Sequence, residues 1–148
     1  QINLIQKKQK MATQIFINLP VKDLQKSIGF FTHLGFNFNP QFTDETATCM
    51  IISENIYVML LIESRFQEFT KKPVSDAKTS TEVLICLDAE SRDAVDTMVK
   101  NAVDAGGRIY ADPMDHGWMY GHSFEDIDGH QWEVAYMDIT AFPQPENN

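Results

Sequence analysis

Glu133 and Glu82 are the side chains of this sequence best placed for chemistry. Each sits in a strand-like run whose alternate positions are apolar. Trp132, Val134 and Tyr136 share one face and leave Glu133 on the other; Val83, Ile85 and Leu87 do the same for Glu82. Burial in partly apolar surroundings raises a carboxyl pKa, and a carboxylate tuned in this way could abstract a proton next to a carbonyl. A second concentration of functional side chains lies at Asp115–His122, with His116, Trp118, Tyr120 and His122. In a regular strand Tyr120, His122 and Phe124 share a face and offer a stacking surface with polar tips. The ordinary roles compete with this reading: Trp118 and Phe124 would close a small core, and the two histidines would be polar loop or strand residues.

The elements that must position these groups form an internal repeat. Ile15 to Pro20 reads as a strand. Asp23 caps a helix carrying Leu24, Ile28, Phe31 and Leu34, which Gly35 stops, and strand-like runs follow at 36–42, 45–53 and 56–63. The second half repeats that order. A strand at 81–88 precedes a helix opened by Ser91, bearing Val95, Met98, Val99 and Ala102, and closed by Gly106-Gly107; runs at 108–111, 119–126 and 131–137 follow. Asp128-Gly129 is a two-residue hairpin signal between the last two. The connection at 64–80 is long, and Phe66 and Phe69 ahead of Pro73 predict a short helix there, either a lid or a linker docked by both phenylalanines.

A hairpin followed by an alternating strand with a central Glu, at the end of a repeated β-α-β-β-β order, resembles the vicinal oxygen chelate superfamily. That superfamily includes glyoxalase I, fosfomycin- and bleomycin-resistance proteins and extradiol dioxygenases. The resemblance covers residues 13 to about 138. It implies an α+β fold of two βαβββ modules, about 13–63 and 81–138, forming curled mixed sheets with a concave cup. It also implies four ligand slots on the cup face, which fall on Phe16, Met59, Glu82 and Glu133. Two carboxylates beside a phenyl ring and a thioether do not make the imidazole, carboxylate or thiolate set that zinc, nickel or ferrous iron wants. No cofactor is therefore expected. The alternative is a divalent metal held by Glu82 and Glu133 with His116 or His122.

The resemblance then leaves two functions. The first is a binding protein of the bleomycin-resistance kind, taking a cationic or aromatic small molecule in an acidic cup lined by Phe16, Asn18, Tyr57, Met59, His116, Trp118, Tyr120 and His122. The alternative is a glyoxalase-type lyase, isomerase or epimerase with Glu133 or Glu82 as general base.

Composition narrows the partners. The chain of 148 residues carries a net charge of −9, and from Met11 onward 9 basic residues stand against 21 acidic ones. Such a surface repels phosphate backbones and anionic lipid, which disfavours nucleic-acid and membrane roles. Residues 1–10, with Lys7, Lys8 and Lys10 and no acid, read as a leader or extension ahead of a single domain at 11–148. Cys49 and Cys86 lack metal or disulfide spacing, and no apolar run approaches membrane-spanning length, so a cytoplasmic protein is expected. Apolar sheet surface and open edges predict a homodimer burying well above about 1,000 Å².

Overall fold

The computed structural model describes residues 11–143 and 145; the expected leader lies outside them. The first module runs β1 (Ile15–Val21), α1 (Leu24–His33), β2 (Asn37–Asn39), β3 (Ala47–Ser53) and β4 (Ile56–Ile62). A short helix α2 (Glu63–Gln67) opens the connection. The second module is β5 (Leu84–Asp88), α3 (Arg92–Asp104), β6 (Met114–Asp115), β7 (Met119–Glu125) and β8 (Gln131–Met137). The sheets are ordered β1-β4-β3-β2 and β5-β8-β7-β6. In each, the first and last strands of the module pair in parallel and the other neighbours antiparallel. The fold is α+β, two βαβββ repeats with open sheets. No helix among the described residues is long and apolar enough to cross a membrane.

Local chemistry sets the helix ends alike in both halves. Asp23 accepts the Lys26 N–H at 3.1 Å and Ser91 accepts the Ala94 N–H at 3.0 Å, satisfying first-turn donors that the helix itself leaves unpaired. Gly35 at φ 101° and Gly106 at φ 104° take the left-handed conformation just past each C-terminus.

Several strand limits differ from the expectation, each for a local reason. β2 ends at Asn39 because Pro40 starts a 3-10 turn in which Asn39 accepts the Gln41 N–H. β3 starts at Ala47 because Asp44 Oδ1 captures the Thr46 and Ala47 N–H groups in a turn. The run at 108–111 forms only one bridge, Arg108 to Glu125, and the second strand of the module moves downstream of Pro113 to Met114–Asp115. β5 begins at Leu84 rather than Thr81, which leaves Glu82 outside the strand. Between the modules Phe66 is half-buried, but Phe69 is 69% exposed under the Arg65 guanidinium. One phenylalanine docks the connection, not two.

The expected two-residue hairpin is also replaced. Asp126 N–H donates to His130 O and Gly129 N–H to Asp126 O, so the loop has three residues, with Gly129 alone at positive φ, 91°. A side chain at Gly129 would meet the Lys78 backbone nitrogen at 2.9 Å. This loop clasps the first module: Asp128 accepts from Lys22 N–H at 3.0 Å and Ser27 Oγ at 3.3 Å, and the His130 imidazole bonds Pro20 O at 2.6 Å. Beneath it, Asp126 accepts from the Asp128 and His130 N–H groups and from Trp132 Nε1. Burial pushes the Asp126 carboxyl above its usual value, opposed by the His130 charge and by these donors.

One core serves both modules. Leu19, Val21, Val58 and Leu60 from the first sheet join Ile85, Phe124, Trp132 and Val134 from the second, with Phe30, Phe31, Val95 and Val99 supplied by the helices. The Phe31 ring lies 5.3 Å from Trp132 and Phe30 6.2 Å from Phe124. Full burial of each such side chain is worth about 2–3 kcal/mol. Strand alternation then turns the opposite faces of both sheets away from this core, and those faces carry the site.

Candidate functional site

On the second sheet, Glu133 is the centre of a polar row. Its neighbour on β5 is Cys86 and its neighbour on β7 is Ser123, all on the face opposite Trp132 and Val134. Tyr110 and Asp112 from the loop after α3 lean over the row, with Met114 and Met119 at its side. Together they enclose a cleft of about 220 Å³. Glu133 and Tyr110 are half-buried, Cys86 is exposed and Ser123 is buried. Burial raises the Cys86 thiol, and the Glu133 and Asp88 carboxylates raise it further, so at neutral pH it is a thiol rather than a thiolate. Burial also raises the Tyr110 phenol; the Ser123 hydroxyl opposes the shift, and Glu133 and Glu125 add to it. The cleft thus presents two carboxylates, Glu133 at its floor and Asp112 at its rim, among neutral donors.

The first sheet offers the equivalent face with different chemistry. Asn18 pairs with Met59 on β4, and Met59 with Cys49 on β3, which matches Cys86, Glu133 and Ser123 position for position. One register step earlier, Phe16 pairs with Tyr57, their rings stacked at 4.9 Å. The step that pairs Phe16 with Tyr57 pairs Leu84 with Gln131 in the second half. The internal repeat therefore makes Leu84, not Glu82, the counterpart of Phe16. Nothing in single-sequence parity showed this, because β5 starts three residues later than its hydrophobic pattern suggests.

The sequence-predicted residues consequently separate into groups. Phe16, Asn18, Tyr57 and Met59 share the outer face of the first sheet. Glu133 stands alone of them on the second. Glu82 lines a different cavity, of about 230 Å³, together with Asn18. Tyr120 and His122 do share a face with Phe124, but it is the helix side: the Tyr120 hydroxyl donates to Asp96 on α3 at 2.6 Å beneath the Arg92 guanidinium. His122 borders the Glu133 cleft from its strand, and its Nδ1 is buried with no partner among the described residues. His116 stacks on Trp118, which meets Phe142 edge-on at 4.6 Å. None of Tyr120, His122 or Gln131 hydrogen-bonds Glu133; Gln131 donates to Glu125 at 3.3 Å and accepts from Thr81. Cys86, Ser123 and Tyr110 are the neighbours that sequence reasoning missed. The first two follow from register, whereas Tyr110 lies in the run at 108–111, which alternation predicts as a strand and which is a loop after one bridge.

A family model for the glyoxalase/bleomycin resistance protein/dioxygenase superfamily matches residues 13–134. The chain belongs to that superfamily. A search of curated proteins finds no match. Among solved structures, a hypothetical protein of S. aureus, SA1046, is 30% identical with a TM-score of 0.73, covering 86% of this chain and 96% of that one. A glyoxalase-related enzyme from Fulvimarina pelagi is 19% identical, TM-score 0.71, over 86% and 88% of the two chains. The fosfomycin resistance protein FosX from Mesorhizobium loti is 13% identical, TM-score 0.63, over 88% and 97%. The last two likenesses show the fold.

Metal-dependent members of the superfamily use imidazole and carboxylate ligands on these cup faces, and the residues present here do not fit that role. Among the described residues no three His, Cys, Asp or Glu side chains stand where they could hold an ion. Joining the two faces would set Phe16, Asn18, Tyr57, Met59 and Cys49 against Cys86, Ser123, Asp112 and Glu133. Cys49 is buried and the Phe16 and Met59 slots hold a phenyl ring and a thioether, so the first face supplies no imidazole or carboxylate toward a tight transition-metal set.

Proposed function

We propose that this protein binds a small cationic or aromatic molecule without a transition metal, in a cup that two copies of the chain complete. The observation that carries this reading is the placement of the two half-sites. Both modules turn their helix-covered faces into one core, so the Glu133 row and the Phe16–Tyr57 face look outward, and neither the Glu133 cleft nor the cavity at Glu82 is lined by both. Both remain open at matching positions, with Phe16 and Leu84 each 53% exposed. A second copy laying its first sheet over the Glu133 row would cover them. It would build a cup with an aromatic wall on one side and a carboxylate on the other, which suits stacking plus charge pairing of a cation. Relatives whose names refer to bleomycin and fosfomycin resistance lend support to a small-molecule ligand.

Light scattering at micromolar protein should give a dimer; a monomer sinks the shared cup. A thermal-shift screen of small aromatic cations should give hits that Glu133→Gln weakens about tenfold or more, with the unliganded melting point nearly unchanged. Hits indifferent to Glu133→Gln would place the ligand elsewhere.

A second reading, proton transfer in an isomerase or epimerase, has one observation in its favour. Tyr110, kept protonated by burial, could donate to a carbonyl oxygen in the same cleft where Glu133 would remove the adjacent proton. Solvent deuterium incorporation into a bound carbonyl compound, lost in both Glu133→Gln and Tyr110→Phe, would promote it over simple binding.

A further inference from the structure

The cavity that holds Glu82 reaches the cup faces only at Asn18 and Gln131 and contains neither Glu133 nor the Phe16–Tyr57 pair. It lies at the seam of the modules, roofed by the connection between them, with Phe66, Pro73 and Val74 above, Val83 at its side, and Asn18 and Glu82 supplying polar groups. Its volume is about 230 Å³. An apolar cavity of about 150 Å³ is already enough to stay dry and take up benzene, so this one has room for a single ring with a short substituent. It is smaller than the roughly 300 Å³ at which drug-sized ligands are held.

Charge selects the substituent. Glu82 is the one carboxylate among the lining residues, and no lysine or arginine lines the cavity. The His130 ring is already committed to Pro20 O at 2.6 Å, and Gln131 to Glu125 and Thr81. A ligand end group therefore meets one carboxylate, the Asn18 amide and the Thr70 and Ser75 hydroxyls. The roof holds its own shape, the Gln67 amide donating to Thr70 O and Lys72 O, and it is anchored by half-buried Phe66 and by Lys78 against Gly129.

We propose that this seam cavity is a second small-molecule site, separate from the Glu133 cup, for a monocyclic aryl or short alkyl ammonium whose cation faces Glu82. The test is a titration of the full chain with benzylammonium, benzyl alcohol and benzoate, followed by amide NMR. Benzylammonium should move the Asn18, Val74 and Val83 amides saturably, and benzoate should bind more weakly than the other two. Glu82→Gln should weaken benzylammonium about two- to fivefold, the scale of an exposed ion pair, and leave benzyl alcohol unchanged. Val74→Trp, or Ala77→Phe should the first not fold, should fill the cavity and abolish the Val83 shift with both probes. Glu133→Gln should leave the Val74 and Val83 shifts unchanged with either probe, which separates this site from the cup.

The proposal falls if those three amides stay still up to the solubility limit of the probes. It also falls if the Val83 shift survives in a folded cavity-filling variant, or if Glu82→Gln affects the alcohol as much as the ammonium.

Discussion

The two modules share strand order, register and helix capping, yet their outer faces have diverged. Where the second sheet places Cys86, Glu133 and Ser123, the first places Asn18, Met59 and Cys49. Where the first stacks Phe16 on Tyr57, the second pairs Leu84 with Gln131. The inner faces kept one character, because they pack against each other and a change in one must be met by the other. The outer faces had no such constraint within the chain. Repetition thus fixes where a cup residue stands and leaves open what it is. The hairpins diverged in the same way: the one at Glu54-Asn55 is exposed, whereas its counterpart at Asp126–His130 clasps the other module.

The shared core gives the largest test of this comparison. Trp132→Ala should cost about 3–5 kcal/mol, read as a lowered urea midpoint. Because the core is common, amide protection should fall at Val58 and Leu60 of the first sheet as much as at Val134 of the second. Loss confined to the second sheet would mean that the modules are energetically independent.

The diverged outer faces can be made alike again. Phe16→His, Met59→Glu and Leu84→His would place two imidazoles beside Glu133 and a new carboxylate, provided that two copies join their faces. Zinc at a hundredfold excess over its Kd should then stabilise the triple variant by about 2.7 kcal/mol, and leave the parent unmoved. A folded, dimeric variant with no zinc-dependent shift in melting point would show that the faces do not meet in this register.

The clasp has a pH signature. Burial raises Asp126 above its ordinary 3.8, so its contribution to stability is complete below that value and is lost as pH rises through the higher folded pKa. Asp126→Asn should flatten this fall while costing about 1–2 kcal/mol through poorer acceptors for Trp132 Nε1 and the loop amides. Urea midpoints measured upward from pH 3.8 check both parts. A profile that rises with pH in the parent over that window, and does so because of Asp126, would reverse the sign assigned here.

The smallest effect is on Cys86. Iodoacetamide should modify it slowly at pH 8 and Cys49 more slowly still, since Cys49 is buried and Cys86 exposed. Glu133→Gln removes one of the charges that hold the Cys86 thiol protonated, so its alkylation should quicken about two- to threefold. An unchanged rate would mean that Glu133 is not beside Cys86.

The amino-acid sequence by itself determined the repeat, the helix caps at Asp23 and Ser91 and the inward faces of β1, β4 and β8, since these follow from periodicity and short-range hydrogen bonding. The placement of Glu133 opposite Trp132 is of that kind. Only the tertiary structure decided where β5 starts, and so that Leu84 rather than Glu82 matches Phe16. Strand limits depend on which backbone groups find partners across the sheet, and single-sequence alternation carries no such information. It also decided that Tyr120 and His122 lie under α3 and that Tyr110 joins Glu133. Strand parity says that two residues share a face, but which face a helix covers, and which loop folds over the other, is settled by packing between segments far apart in the chain.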